Sequence, residues 1–146
     1  MRRDKVGQTL LAVAVVISGC LSLAFALQDK EKRDTCHRLI LQLEQACQAY
    51  EIDYALYPTS GNASMVKALT TKGPKRFPYF DFAKGMLNDK GEVLDPWGHP
   101  LVYHNNTDKS APKDWTAHRK NSFDLYSFGP DGKDDKGKGD DVNNWD

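Results

Sequence analysis

The stretch TLLAVAVVISGCLSLAFAL, residues 9–27, decides how this chain is read. It holds no charged side chain, and Arg2, Arg3 and Lys5 stand just before it. As an α-helix it would measure about 28 Å, close to the roughly 30 Å of a bilayer's hydrocarbon core. Backbone in lipid must satisfy its own hydrogen bonds, and a single segment can do so only as a helix. Residues 9–27 therefore either span a membrane or are removed as a signal. A cleaved signal closes on small residues and a polar mature start. Here the apolar run continues through Leu21, Leu23, Phe25 and Leu27, then passes without Pro or Gly into a second helix-like segment. The pattern predicts a retained helical anchor.

Toward the N-terminus, MRRDKVG is short and net positive. The positive-inside rule keeps that end in the cytoplasm and sends everything after Leu27 to the far side. Toward the C-terminus, apolar residues fall at Cys36, Ile40, Leu43, Cys47, Tyr50 and Tyr54, with Leu39 and Ala46 filling in. That is the spacing of one helical face, with Arg38, Gln42, Gln45 and Glu51 opposite. Such a stripe packs on a sheet or another helix. The residue before Pro58 is pushed out of the α region, so the helix should end before Tyr57. Residues 9–54 can thus form one helix, greasy in its first half and amphipathic in its second.

Beyond the helix there is material for one modest domain with a small core. Lys and Arg number 20, as do Asp and Glu, so the formal net charge of zero does not point to nucleic acid. Three cysteines make no disulfide framework. Cys36 and Cys47 share a helical face about 16 Å apart, too far to pair within one straight helix.

The remainder reads as a small head. Ser60-Gly61-Asn62 is a turn, with Asn62 placed to cap a short helix through Met65, Val66 and Leu69. Residues 77–82, FPYFDF, are core or edge strand, Pro78 excluding a central one. Asp95-Pro96-Trp97-Gly98 is a turn that delivers Trp97 into the core: Asp95 caps, Pro96 fixes φ and Gly98 allows a positive φ. Residues 101–104 and 123–128 read as an antiparallel strand pair. The predicted fold is α+β, a long N-terminal helix packed on a small antiparallel sheet.

Several pieces arrive in a family's order: a basic leader ending in Gly7, an apolar helix running into an amphipathic one, and Tyr57-Pro58 at its exit. Then come DPWG at residues 95–98, the strand pair, SFGPDG at 127–132 and DDVNNW at 140–145. This order resembles the type IV pilin-like proteins, and among them the major-pseudopilin family of bacterial type II secretion systems. The resemblance spans nearly the whole chain. It implies a leader at 1–7, a transmembrane half-helix at 8–27, an amphipathic half at 28–55 and a periplasmic head at 56–146 with an acidic C-terminal loop. It further implies cleavage after Gly7 by a prepilin peptidase, methylation of Gln8, and a single inner-membrane pass. Assembly with copies and minor pseudopilins into a periplasmic pseudopilus follows from it, as does calcium held by the side chains of Asp131 and Asp141 and the carbonyls of Phe128 and Pro130. Asp140 is a further candidate ligand. Two positions depart from the family: Gln8 stands where Phe is usual, and Ala12 where a Glu is thought to meet a neighbour's N-terminal amine.

The acidic loop is where ligand chemistry gathers. Asp131, Asp134, Asp135, Asp140 and Asp141 are interleaved with Gly132, Gly137 and Gly139. Calcium takes six to eight oxygens, and glycines let carbonyls turn inward. The alternative is a solvated tail neutralised by Lys133, Lys136 and Lys138. His37, His99, His104 and His118 fall in no HExxH, and neither CxxC pairs nor a GxSxG turn occur, so an enzyme is not expected. Val16-Ile17-Ser18-Gly19-Cys20 looks like a lipobox and supports a second reading, a lipid-anchored periplasmic lipoprotein acting as a binding or structural module with Cys20 lipidated.

Overall fold

The computed structural model describes the backbone of residues 3–74 and 76–145, and side chains from residue 23 onward within them. Helix α1 covers Arg3–Tyr54 and helix α2 Asn62–Thr70. Strands β1 (Val102–Asn105), β2 (Phe123–Ser127) and β3 (Val142–Asn143) form one antiparallel sheet in the order β1-β2-β3. The chain divides into two units, Met1–Lys32 and Arg33–Asp146.

The first unit is helical, and residues 23–30 are all exposed, Leu23, Phe25 and Leu27 included. Among the described residues no helix is long and apolar enough to cross a membrane. The side chains of residues 9–22, most of the expected span, lie outside the described residues, as do those of Gly7, Gln8, Ala12 and Cys20.

The second unit holds the core. Cys36, Ile40, Leu43 and Cys47 are fully buried, as the helical stripe requires, while Gln42 and Gln45 on the other side are exposed. The stripe fades at its C-terminal end, where Tyr50 is half-buried and Tyr54 is exposed rather than buried, because the helix stops there. They pack with Met65 and Leu69 of α2 and with Tyr103, Phe123 and Leu125 of the sheet. Both cysteines are free and buried, and burial pushes the Cys36 thiol up to about 12. Helix α1 ends where Ala55 takes φ 58, a left-handed value that a non-glycine residue adopts mainly at such stops. The expected strand pair forms with Tyr103 opposite Leu125 and His104 opposite Asp124.

Three local readings need correction. Asn62 does not cap α2; Gly61 is the cap residue, and Asn62 begins the helix with its side chain turned inward. Its Nδ2 donates to the carbonyls of Val93 (2.9 Å) and Leu101 (2.8 Å), and its Oδ1 accepts from Val93 N–H at 2.7 Å. Residues 77–82 are loop, not strand: the Tyr79 and Phe80 amides both donate to the Leu69 carbonyl at the end of α2, leaving no ladder to join. Trp97 is half-buried rather than in the core, packing against the core's edge beside Leu39 and Met86.

Candidate functional site

Two neighbouring features carry the polar chemistry of the head. The first is the turn at residues 95–98. Asp95 is buried, and its Oδ1 accepts from the Trp97 and His99 amides, both at 2.9 Å, as the sequence requires of a capping aspartate. Its Oδ2 accepts from Ser127 Oγ at 2.6 Å, tying the turn to the end of β2. His99 Nδ1 lies 3.6 Å from the same Asp95 oxygen. Serine, histidine and aspartate thus meet, but the hydroxyl is bonded to the carboxylate and not to the imidazole. The serine–histidine pairing of an activated nucleophile is therefore not made here, and the bond to Asp95 serves to hold the turn on β2.

The second feature is the loop that leaves β2. Gly129, at φ 64, runs so close to the Asp140 carbonyl that a Cβ there would collide with it. Gly137, at φ 78, makes room in the same way for the Trp145 indole. Tyr126 Oη donates to Asp134 at 3.1 Å, and Asn143 Nδ2 to the Gly137 carbonyl at 3.0 Å, so the loop is fastened back onto the sheet.

The acids do not all point one way. Asp131 is exposed and accepts from Lys133 twice, at Nζ (2.8 Å) and at the backbone amide (2.9 Å). Those bonds hold its carboxyl below the usual range. Asp140 Oδ2 accepts from the Asp131 amide at 3.3 Å. Asp141 Oδ2 accepts from the Gly137 amide at 2.7 Å, whereas its Oδ1 is buried with no hydrogen-bond partner. Burial pushes Asp141 up to about 6; the Gly137 amide opposes this, and Asp135, Asp134 and Asp140 add to it. Phe128 and Pro130 stand at the loop's entrance, Phe128 edge-on to Tyr126 with ring centres 6.0 Å apart.

The acids the fold draws together are Asp135, Asp140 and Asp141, each offering one carboxylate oxygen within 4.8 Å of the others. Oxygens on opposite sides of a calcium ion, at 2.3–2.6 Å each, stand about 4.6–5.2 Å apart, so this spacing is compatible with a cation of that size without selecting it. The orphaned Asp141 oxygen and the all-oxygen donors fit it as well. Asp135 is one of the five aspartates of the loop, with nothing in its spacing to single it out. It joins the cluster because the chain turns back between 135 and 141: the Lys138 amide donates to the Asp135 carbonyl and the Asp141 amide to the Lys138 carbonyl.

Beside the loop lies an aromatic group. His104 sits 4.5 Å from the Trp115 ring, which stacks on Tyr126 at 5.5 Å. Burial pushes His104 below its ordinary value, against the opposing pull of Asp124, Asp134 and Asp114. A histidine depressed in the folded state gives stability that is present above its unfolded value, roughly pH 6.5, and is lost as pH falls. Between pH 7 and pH 5.5 His104 thus lowers the head's stability, while Asp141, raised to about 6, acts in the opposite sense. His104→Asn should remove the loss and so shift the melting temperature upward relative to the unsubstituted head on going to pH 5.5, whereas His37→Asn, on the exposed helix face, should not.

A long helix laid on a three-stranded antiparallel sheet, with an acidic loop fastened back onto it, defines a pilin-like fold. The model of the family described as Type II secretion system (T2SS), protein G matches residues 24–145. The chain is 30% identical over 153 residues to "Type II secretion system core protein G" of Vibrio cholerae, spanning 98% of this chain and 93% of that protein. It is 32% identical over 156 residues to the protein of the same description from Pseudomonas aeruginosa, spanning 99% and 98%. The crystal structure of the major pseudopilin from the type 2 secretion system of enterohaemorrhagic Escherichia coli shares the fold, with TM-score 0.50 and 24% identity over 83% of this chain and 92% of that one. The chain belongs to the type II secretion system protein G family. It is a pseudopilin subunit, a structural protein and not an enzyme.

Proposed function

We propose that this pseudopilin is held in the inner membrane by a single span over residues 8–27, with its head in the periplasm, and that copies and minor pseudopilins pack into a short pseudopilus. The observation that carries the reading is that Leu23, Phe25 and Leu27, which between them point to different sides of α1, are all exposed in the chain's own fold. Such surface is stable in lipid or against another subunit's helix. On this reading a prepilin peptidase cuts after Gly7 and Gln8 is methylated. Mass spectrometry of the mature N-terminus tests it. Methylated Gln8 is the expected result, whereas a diacylglyceryl group on Cys20 would establish the lipoprotein instead. Ala12 leaves a neighbour's amine without a carboxylate in low dielectric. Ala12→Glu should accordingly increase cross-linking between N-terminal helices in native membranes.

The acidic loop, on the same reading, is a calcium site. Asp140 and Asp141 would hold the ion with the carbonyls of Phe128 and Pro130; Asp131 would join on leaving Lys133, and Asp135 lies near enough to add an oxygen. The ion's charge would offset the repulsion among these carboxylates. A ligand that binds only the folded state stabilises it by about 2.7 kcal/mol at a hundredfold excess over Kd. Calcium should therefore raise the head's melting temperature, and EGTA should reverse the rise. Asp131→Ala and Asp141→Ala should each remove most of it, and Asp114→Ala, outside the loop, none. A metal-free head whose melting temperature ignores calcium would make the loop a solvated acidic tail.

A further inference from the structure

The acidic loop is also tied to helix α1, 107 positions away in the chain. Arg33 Nη1 donates to the backbone carbonyl of Asp140 at 3.0 Å. Gly129 presses on that same carbonyl, where any Cβ would collide. The peptide unit of residue 140 is thus held by a guanidinium on one contact and by a bare Cα on another. From this fixed point hang Asp140 and Asp141, two of the three clustered carboxylates. Arg33 is half-buried and one helical turn before the fully buried Cys36, so the core fixes where its guanidinium starts.

We propose that Arg33 is a positioning residue for the cation site: by holding the Asp140 carbonyl it aims the carboxylates of Asp140 and Asp141 at the place the ion would take. The inference rests on the calcium reading of the loop. It makes a prediction whose sign opposes simple electrostatics. A guanidinium present only as a charge repels an arriving cation, and its removal would tighten binding. A guanidinium that holds the carbonyl does the reverse, because without it the carboxylates must be ordered at the moment of binding.

The test titrates the full chain in detergent with calcium chloride alone, by isothermal calorimetry. Loss of one charge-assisted hydrogen bond should weaken binding about tenfold in Arg33→Ala. Arg33→Lys, which keeps a donor, should stay close to the unsubstituted protein. In calcium-free buffer, amide hydrogen exchange at Gly137 and Asp141 should be faster in Arg33→Ala than in the unsubstituted chain, a readout that needs no ion. Equal or tighter calcium binding by Arg33→Ala would overturn the role of Arg33 while leaving the calcium site standing. Arg33→Lys as weak as Arg33→Ala would also overturn it, since one donor suffices for one carbonyl. An unsubstituted chain that takes up no calcium would overturn both readings together.

Discussion

Leu43→Ala should destabilise the head by about 2–5 kcal/mol, the range for a leucine removed from a packed core. Leu43 is fully buried on the face of α1 that meets the sheet, between Ile40 and Cys47, which are equally inaccessible. Closely packed helix and sheet cannot fully collapse into the space that the missing Cγ and two Cδ methyls would leave. Urea denaturation of a soluble fragment starting at residue 28 measures the loss. Gln42→Ala, one position away on the exposed side, should stay within about 0.5 kcal/mol. Equal losses at the two positions would mean that the helix has no fixed packing on the head.

The second large effect is expected from Asn62→Ala, at about 2–4 kcal/mol. The Asn62 side chain makes three buried hydrogen bonds, to Val93 N–H, Val93 C=O and Leu101 C=O. The Val93 carbonyl keeps a partner after truncation, because the Leu101 amide also donates to it at 3.0 Å. The Val93 amide and the Leu101 carbonyl lose the amide side chain that satisfies them, and each buried orphan costs about 1–3 kcal/mol. Asn62→Asp should be no milder, since a carboxylate can accept from Val93 but faces two carbonyl oxygens that need donors. Ser64→Ala, exposed two positions along the same helix, is the control and should change little. A loss below about 0.5 kcal/mol in Asn62→Ala would show that water replaces the side chain without cost.

Asn62 also shows why part of the fold escaped the sequence. A residue that could cap a helix and a residue that could staple two loops have the same local signature. What separates them is the presence of Val93 and Leu101, 31 and 39 positions on, at bonding distance. FPYFDF is a parallel case. Its aromatic content suits a strand, but strands need a partner ladder, and the sheet's three members are supplied from 102–105, 123–127 and 142–143. The two-residue strand β3 is too short to leave any alternation to read.

The acidic loop was legible as a cluster but not as an arrangement. Asp131 and Asp141 looked equivalent in the sequence. In the fold one is engaged by Lys133 on the surface, and the other has a carboxylate oxygen buried without a partner. Nothing in the spacing of five aspartates encodes which of them the turn between 135 and 141 will gather.

By itself the sequence determined the features that repeat at short range: the run of α1 to Tyr54, the buried stripe from Cys36 to Cys47, the Asp95 turn and an antiparallel strand pair, read at 101–104 and 123–128 and formed by 102–105 and 123–127. These follow from helical and strand periodicity, proline geometry and one capping carboxylate, all of which act within a few residues. Only the tertiary structure decided that Ser127 would bond to Asp95, that Asn62 would face inward, and that Arg33 would reach Asp140. Each of those contacts joins residues at least 31 positions apart. Their partners are chosen by how the helix lies on the sheet, and no local pattern carries that information.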